Sequence, residues 1–304
     1  MTDVIERTET LAPEPAYALG GLLGVPVPDV GSGAGLPLLW HWIYLLDRAA
    51  QADLGQDGHP VRGTVPAPPG PGRRRMWAGG RVTALAPLRC GEPATRSTRV
   101  LSVTEKTGRT GRLTFVVVGH QIVQRGQVVV DEEQDIVYRE TGRGTGPAPA
   151  LALALALAPD SPDSADGQPK VPAGDGEWEV EVSPTLLFRF SALTYNAHRI
   201  HYDRDYARDV EGYPGLLTHG PLQALAMTEA ARGAGGGAAA AAAAEGDGAR
   251  YFEYRLISPL FDYQGLIASA VPGAGSTATA VRDRYGRRTA SGTLRIGGQP
   301  GEPN

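Results

Sequence analysis

The chain has 304 residues, 41% of them hydrophobic and 20% charged, with a formal net charge of -4. That length holds one large domain or two of ordinary size, and the composition is globular, not disordered or membrane-embedded. The mild acidity leaves no basic field for nucleic acid or an anionic membrane, so the expected partners are small molecules or another copy of the chain.

In chain order, the acidic N-terminal stretch lacks an apolar core of signal-peptide length, which predicts a cytoplasmic protein. Residues 36–52, LPLLWHWIYLLDRAAQA, are apolar with closely spaced aromatics and read as a largely buried helix. Four runs rich in Val and Ile follow: RMWAGGRVTAL, TRSTRVLSVTEK, GRLTFVVVGHQIVQ and GQVVVDEEQDIVYRE. Gly-containing turns at residues 106–108 and at Arg125-Gly126 separate them, so they predict an antiparallel meander. The single cysteine, Cys90, can form no intrachain disulfide and reads as an inert, semi-buried thiol. Arg73, Arg74 and Arg75 form a short basic run that reads as a solvated turn or as an anion contact across a domain interface.

Residues 141–176 are rich in Gly, Pro, Ala and Asp and read as a linker between a unit spanning 1–140 and one spanning 177–304. The apolar run inside the linker is far short of the ~20 residues that a membrane helix needs. Beyond it the same grammar recurs. EWEVEVSPTLLFRFSAL predicts an opening strand, and PLQALAMTEAAR, residues 221–232, predicts a helix whose final Arg232 suits the helix dipole. An Ala/Gly tract at 233–248 reads as a floppy insertion, and FEYRLISPLF, YQGLIASAVP, STATAVRDRYG and RTASGTLRI read as strands. Two halves, each with one core helix and several strands, indicate a fused pair of similar α+β domains.

Three of the six histidines, His198, His201 and His219, fall in one short region. Tyr195, Asn196, Arg199 and Tyr202 crowd the same segment, where side chains are held by the flanking elements. Gly220 lets a ligand approach the backbone at the positive end of the following helix, and Pro221 suits the first helical position. The Gly220 N–H is thereby a candidate donor to a developing oxyanion. Arg199 reads either as a grip on a carboxylate or phosphate or as a salt bridge to Asp203 or Asp205. No HExxH or comparable carboxylate-bearing motif accompanies the histidines, so no metal is expected.

The segment YNAHRIHYD, followed by GYPGLLTHGPL, resembles the active-site region of the MaoC-like, R-specific enoyl-CoA hydratases. Their signature is Asp-x-Asn-Pro-(Ile/Leu)-His, followed by a His-Gly pair that opens the central helix. Here Asn196 stands at the Asp position, His198 at the Asn, Arg199 at the Pro, and Ile200-His201 and His219-Gly220 match. The substitutions resemble the mesaconyl-C4-CoA hydratases and the hydroxyacyl-thioester dehydratases of type 2. LPLLWHW, RRRMWAGGRV and EEQDIVYRE resemble the companion domain of those proteins.

The resemblance implies a double hot-dog fold: residues 1–140 a non-catalytic, FAS1-like dehydratase type domain that shapes the pocket, and residues 177–304 a MaoC-like catalytic domain. It implies a hydro-lyase that adds water reversibly to an α,β-unsaturated acyl-CoA, with a mesaconyl- or itaconyl-type substrate favoured. His201 is then the base, Gly220 the oxyanion donor and Asn196 the group that orients water, since an amide is no base. Tyr195, His198, Arg199, Tyr202 and His219 are expected to bind substrate; for the basic run a solvated turn is the favoured reading, and contact with the phosphates of CoA across the domain interface is the alternative. The expected cofactor is none beyond the CoA thioester itself. The expected assembly is a pseudo-dimeric chain, with a homodimer of such chains open. The alternatives are dehydration of a 3-hydroxyacyl thioester in fatty-acid or polyketide synthesis, a thioesterase, and a non-catalytic acyl-CoA-binding subunit.

Overall fold

The computed structural model describes residues 4–61, 73–108, 111–140, 170–233 and 248–297. Most of the expected linker and most of the Ala/Gly tract lie outside these residues.

Ten strands form one antiparallel sheet in the order β1-β3-β4-β5-β2-β7-β10-β9-β8-β6. The first five are β1 (Ile5–Thr10), β2 (Arg73–Ala84), β3 (Pro93–Gly108), β4 (Gly111–Gln124) and β5 (Gln127–Glu140). The second five are β6 (Glu177–Val180), β7 (Arg250–Leu256), β8 (Leu266–Pro272), β9 (Thr277–Arg282) and β10 (Arg288–Ile296). Each half runs in the same internal order, with its second strand at the junction. The internal repeat that no residue pattern reveals is therefore present as topology.

The halves meet where β2 pairs with β7, from Gly79 opposite Arg255 to Ala84 opposite Arg250. This closes two edges that would otherwise be exposed templates for aggregation. Close backbone approach at the junction requires glycine: a Cβ on Gly79 would stand 2.4 Å from the Tyr254 carbonyl oxygen. Trp77 donates from Nε1 to the Tyr254 hydroxyl at 2.9 Å across the same seam. The β4–β5 hairpin turns at Arg125 and Gly126, both at positive φ (53° and 75°), the type I′ geometry favoured by twisted strands.

Three α-helices lie among the described residues, α1 (Glu14–Leu23), α2 (Pro184–Leu193) and α3 (Gly220–Arg232), together with short 3-10 and π turns. Helix α3 is the core helix of the C-terminal half, packed on β8, β9 and β10. Leu222, Leu225, Ala226 and Met227 are fully buried in it.

Two expectations fail here. Residues 36–52 form no α-helix but short 3-10 turns at Trp40–Ile43 and Gln51–Asp53. Leu39 and Leu45 sit at positive φ (70° and 54°), which an α-helix of L-residues does not tolerate, and polar anchors hold the aromatic rings instead. Trp42 Nε1 donates to Glu132 at 2.8 Å, and Trp40 Nε1 donates to Glu229 of α3 at the same distance. The second failure is the opening strand of the C-terminal half, which stops at Val180 and gives way to α2. Ser183 caps that helix by accepting from the Leu186 N–H at 3.2 Å, and Pro184 follows at the first helical position. Both are helix-start signals that outweigh the strand-like reading of the segment. Beyond these two, β1 and α1 come from an N-terminal stretch for which the sequence suggested no element.

Candidate active site

The site begins at the end of α2. Tyr195 takes a left-handed conformation (φ 52°), the Tyr195 N–H bonds the Ala192 carbonyl at 3.3 Å, and the Asn196 N–H bonds the Ser191 carbonyl at 2.8 Å. This is a Schellman closure with tyrosine where glycine is usual, and it fixes Asn196 directly beyond the helix. A non-glycine residue there costs about 1–2 kcal/mol, strain that is found concentrated at functional sites. The Asn196 Oδ1 accepts from the His198 N–H at 3.0 Å, which turns the chain back toward the core.

His201 ends the short turn Arg199–His201 and is buried. The Leu217 N–H bonds the Ile200 carbonyl at 3.0 Å, and His201 Nδ1 donates to the Leu217 carbonyl at 2.8 Å. A carbonyl can only accept, so Nδ1 carries the proton and Nε2 keeps its lone pair. Segment 216–218 is itself tied to residues 260–262, with Thr218 N–H to the Leu260 carbonyl at 2.7 Å. The base candidate and the start of α3 therefore hang on one rigid support.

His219 stacks on His201 with ring centroids 3.7 Å apart and planes 19° apart. Its Nε2 meets the Ser191 hydroxyl at 2.8 Å, while its buried Nδ1 has no partner among the described residues. Burial lowers the pKa of both rings, that of His201 to about 4 and that of His219 well below 6.5. Both imidazoles are neutral near pH 7. Gly220 opens α3 beside them, and a Cβ there would stand 2.3 Å from Leu256 Cδ1. Its N–H is one of the first-turn donors that the helix itself cannot satisfy.

The N-terminal half closes the site with a loop that the sequence left unremarked. In GQDGHP, Asp57 accepts from the His59 N–H through Oδ1 at 2.9 Å and pairs with His59 Nδ1 through Oδ2, also at 2.9 Å. The Arg199 N–H bonds the Asp57 carbonyl at 2.9 Å, and a Cβ on Gly58 would overlap the Ala197 carbonyl oxygen at 1.8 Å. The His59 ring lies 4.0 Å from that of His198. Burial lowers the pKa of His198 well below its usual value, with the charges of His59 and His201 acting in the same direction. Burial raises the pKa of Asp57, but its bonds to His59 outweigh this and leave it lowered. The nitrogen and oxygen atoms of Asp57, His59 and His198 gather within 4.8 Å of one another, the spacing of a cation site. Here that closeness is expressed as the Asp57–His59 hydrogen bond. An Asp two residues before a His in a Gly-containing turn was the available sequence signal.

A cavity of about 1020 Å³ runs from this cluster beneath the N-terminal half. His59, Tyr195, Asn196, His198, His201, Tyr202 and Gly220 line it, together with Arg75 and Trp77 of β2. Arg199 and His219 do not. Arg199 forms the salt bridge to Asp203 at 2.8 Å, one of its two sequence readings, and lies 4.0 Å over the Tyr206 ring. Among the candidates for substrate contact, these two support neighbouring side chains instead. Tyr195 and Tyr202 are partly exposed, and the Tyr202 hydroxyl donates to the Ala197 carbonyl at 3.0 Å. Cys90 is buried, with its sulfur 3.5 Å from the Tyr44 hydroxyl, and does not line the cavity. No helix of the described residues is long and apolar enough to cross a membrane.

Comparison with known proteins shows the family and the fold. A mesaconyl-C(4)-CoA hydratase of Chloroflexus aurantiacus is 42% identical over 275 residues, covering 90% of this chain and 87% of that protein. A mitochondrial hydroxyacyl-thioester dehydratase type 2 of Schizosaccharomyces pombe is 37% identical over a shorter stretch, 29% of this chain and 27% of that protein. Among solved structures, a MaoC-like dehydratase superposes with a TM-score of 0.62 at 14% identity, covering 98% of each chain. HtdX of Mycobacterium tuberculosis superposes with a TM-score of 0.60, also at 14% identity, over 97% of this chain and all of that one. At such identity these two speak for the double hot-dog fold alone. The family model of the hydroxyacyl-thioester dehydratases type 2 matches residues 39–262, across both halves and the whole histidine cluster, and the chain belongs to that family.

Proposed function

We propose that the protein is a hydro-lyase that adds water reversibly to the double bond of an α,β-unsaturated acyl-CoA, with a dicarboxylic, mesaconyl-type thioester as substrate. The observation that carries the reading is His201, neutral and tautomer-fixed by Leu217, in one cavity with the unsatisfied N–H of Gly220. Overall similarity to the mesaconyl-C(4)-CoA hydratase supports the choice of acyl group.

In the hydration direction, the Asn196 amide, oriented by the bond from the His198 N–H to its Oδ1, donates from Nδ2 to a water oxygen. The water proton then points to His201 Nε2, which takes it as the oxygen bonds to the β-carbon. The electron pair of the double bond moves toward the thioester oxygen, where the Gly220 N–H stabilises the developing negative charge. The imidazolium returns its proton to the α-carbon, so one ring serves as base and then as acid. Every atom comes from water and thioester, so the reaction calls for no cofactor. A cytoplasmic location and a pseudo-dimeric working unit, alone or paired with a second copy, belong to the same reading.

Loss of the enoyl-thioester absorbance on mixing with mesaconyl-C4-CoA, crotonyl-CoA and itaconyl-CoA tests it. We expect hydration of a dicarboxylic substrate, and a fall of about 100-fold or more in kcat/KM for His201→Ala. No change with any of them, nor with 3-hydroxyacyl thioesters in reverse, would make the chain an acyl-CoA-binding subunit.

A further inference from the structure

Four arginines line the cavity: Arg7, Arg48, Arg75 and Arg96. Arg7 and Arg96 both reach Asp47, at 3.3 and 2.8 Å, and Arg48 reaches Glu9 at 3.4 Å. Arg75 is different. Among the described residues it makes no hydrogen bond and no ion pair, and Asp57, whose charge acts on it, is already engaged by His59. Arg75 is partly buried, and burial lowers its pKa by more than the charges of Tyr138 and Asp57 raise it. A guanidinium cannot escape that position by losing its proton at any ordinary pH.

Its place in the cavity identifies the missing anion. The charge of Arg75 acts on both His59 and His198, so it stands at the imidazole end of the cavity, where the acyl group reacts. The phosphates of CoA lie at the opposite end of a long pantetheine arm from that group. A mesaconyl group joined through C4 carries a free carboxylate on the carbon that receives water. The guanidinium fork matches a carboxylate with two parallel hydrogen bonds.

We propose that Arg75 is the anchor for a carboxylate carried on the acyl group, which makes this cavity selective for dicarboxylic over monocarboxylic enoyl thioesters. This rests on the hydratase reading above and names the residue of the N-terminal half that sets its substrate class. That half is thereby a specificity element as well as a wall of the pocket. The histidines beside Arg75 are neutral and Asp57 is engaged by His59, so an incoming carboxylate supplies the directly bonded counter-charge.

The test compares the wild type, Arg75→Lys and Arg75→Gln on mesaconyl-C4-CoA and crotonyl-CoA, with thermal melting as the control for folding. The ratio of kcat/KM for the dicarboxylic over the monocarboxylic substrate is expected to fall at least about 30-fold in Arg75→Gln, mostly through KM, with Lys intermediate. An equal fall with both substrates overturns the proposal, because Arg75 then supports the site generally. So does a wild type that hydrates crotonyl-CoA but not mesaconyl-C4-CoA, an outcome that leaves the hydratase chemistry standing. If the wild type turns over neither thioester, calorimetric titration with free mesaconate decides. Binding that is lost in Arg75→Gln sustains the anchor although the hydratase reading has failed, and equal or absent binding in both proteins removes it.

Discussion

At the scale of single residues, the site is governed by which nitrogen of His201 is free. The Leu217 carbonyl accepts a hydrogen bond from Nδ1–H, and burial holds the ring neutral down to about pH 4. A base works only when unprotonated, and its folded pKa lies below the ordinary histidine value. The acid limb of the kcat/KM profile should therefore lie near pH 4, well below 6.5. A pH series of initial rates checks this, and a limb near 6.5 would mean that a solvent-exposed imidazole does the work. The sequence singled out His201 and Gly220 from one contiguous segment, and the structure brings both to one cavity. It left Asp57 and His59 out, since they come from the other half of the chain and their Asp-Gly-His pattern marks a turn without tying it to residues 196–201.

Among the elements, the loop of residues 51–61 depends on contact with residues 196–201 across the half-to-half boundary. Gly58 sits at φ 87° with its α-carbon against the Ala197 carbonyl, a place where no side chain fits. Gly58→Ala should push this loop off the site and lower kcat/KM at least about tenfold, while Tm falls by only a few degrees because little core is touched. Unchanged kinetics with a lowered Tm would show that the loop is only a cover. Element prediction succeeded where one force dominated. The β4 strand and α3 follow their Val-rich run and their apolar spacing almost residue for residue. It failed at residues 36–52 and 177–193. In the first, buried hydrogen bonds from Trp40 and Trp42 to acids on distant elements override an apolar pattern. In the second, the Ser183-Pro184 start signal was outweighed in the reading by a run of large apolar residues.

For the whole molecule, five histidines share a direction of pKa shift: His120, His198, His201 and His219, which are buried, and His59, which is partly buried. All are lowered, with burial as the first cause. The unfolded chain therefore takes up protons from about pH 6.5 downward before the folded one does, and stability should fall as pH drops from about 6.5 toward 4. Glu229, raised by burial, acts in the opposite sense, one carboxyl against five imidazoles. Melting temperatures measured across that window check the sign, and a Tm constant from pH 7 to 4.5 would mean that these rings are solvated.

The sequence by itself determined the division into two α+β halves, most of the strand runs and the motif that carries His201 and Gly220, whose segments also carry the resemblance that implies a double hot-dog fold. Each of these is written in local periodicity or in a short contiguous segment. Only the tertiary structure decided that the two halves fuse into a single sheet through β2 and β7. It alone also brought Asp57, His59 and Arg75 to the histidine cluster. Those contacts join residues more than a hundred positions apart, and burial and charge pairing between them depend on where the chain returns, which no local pattern records.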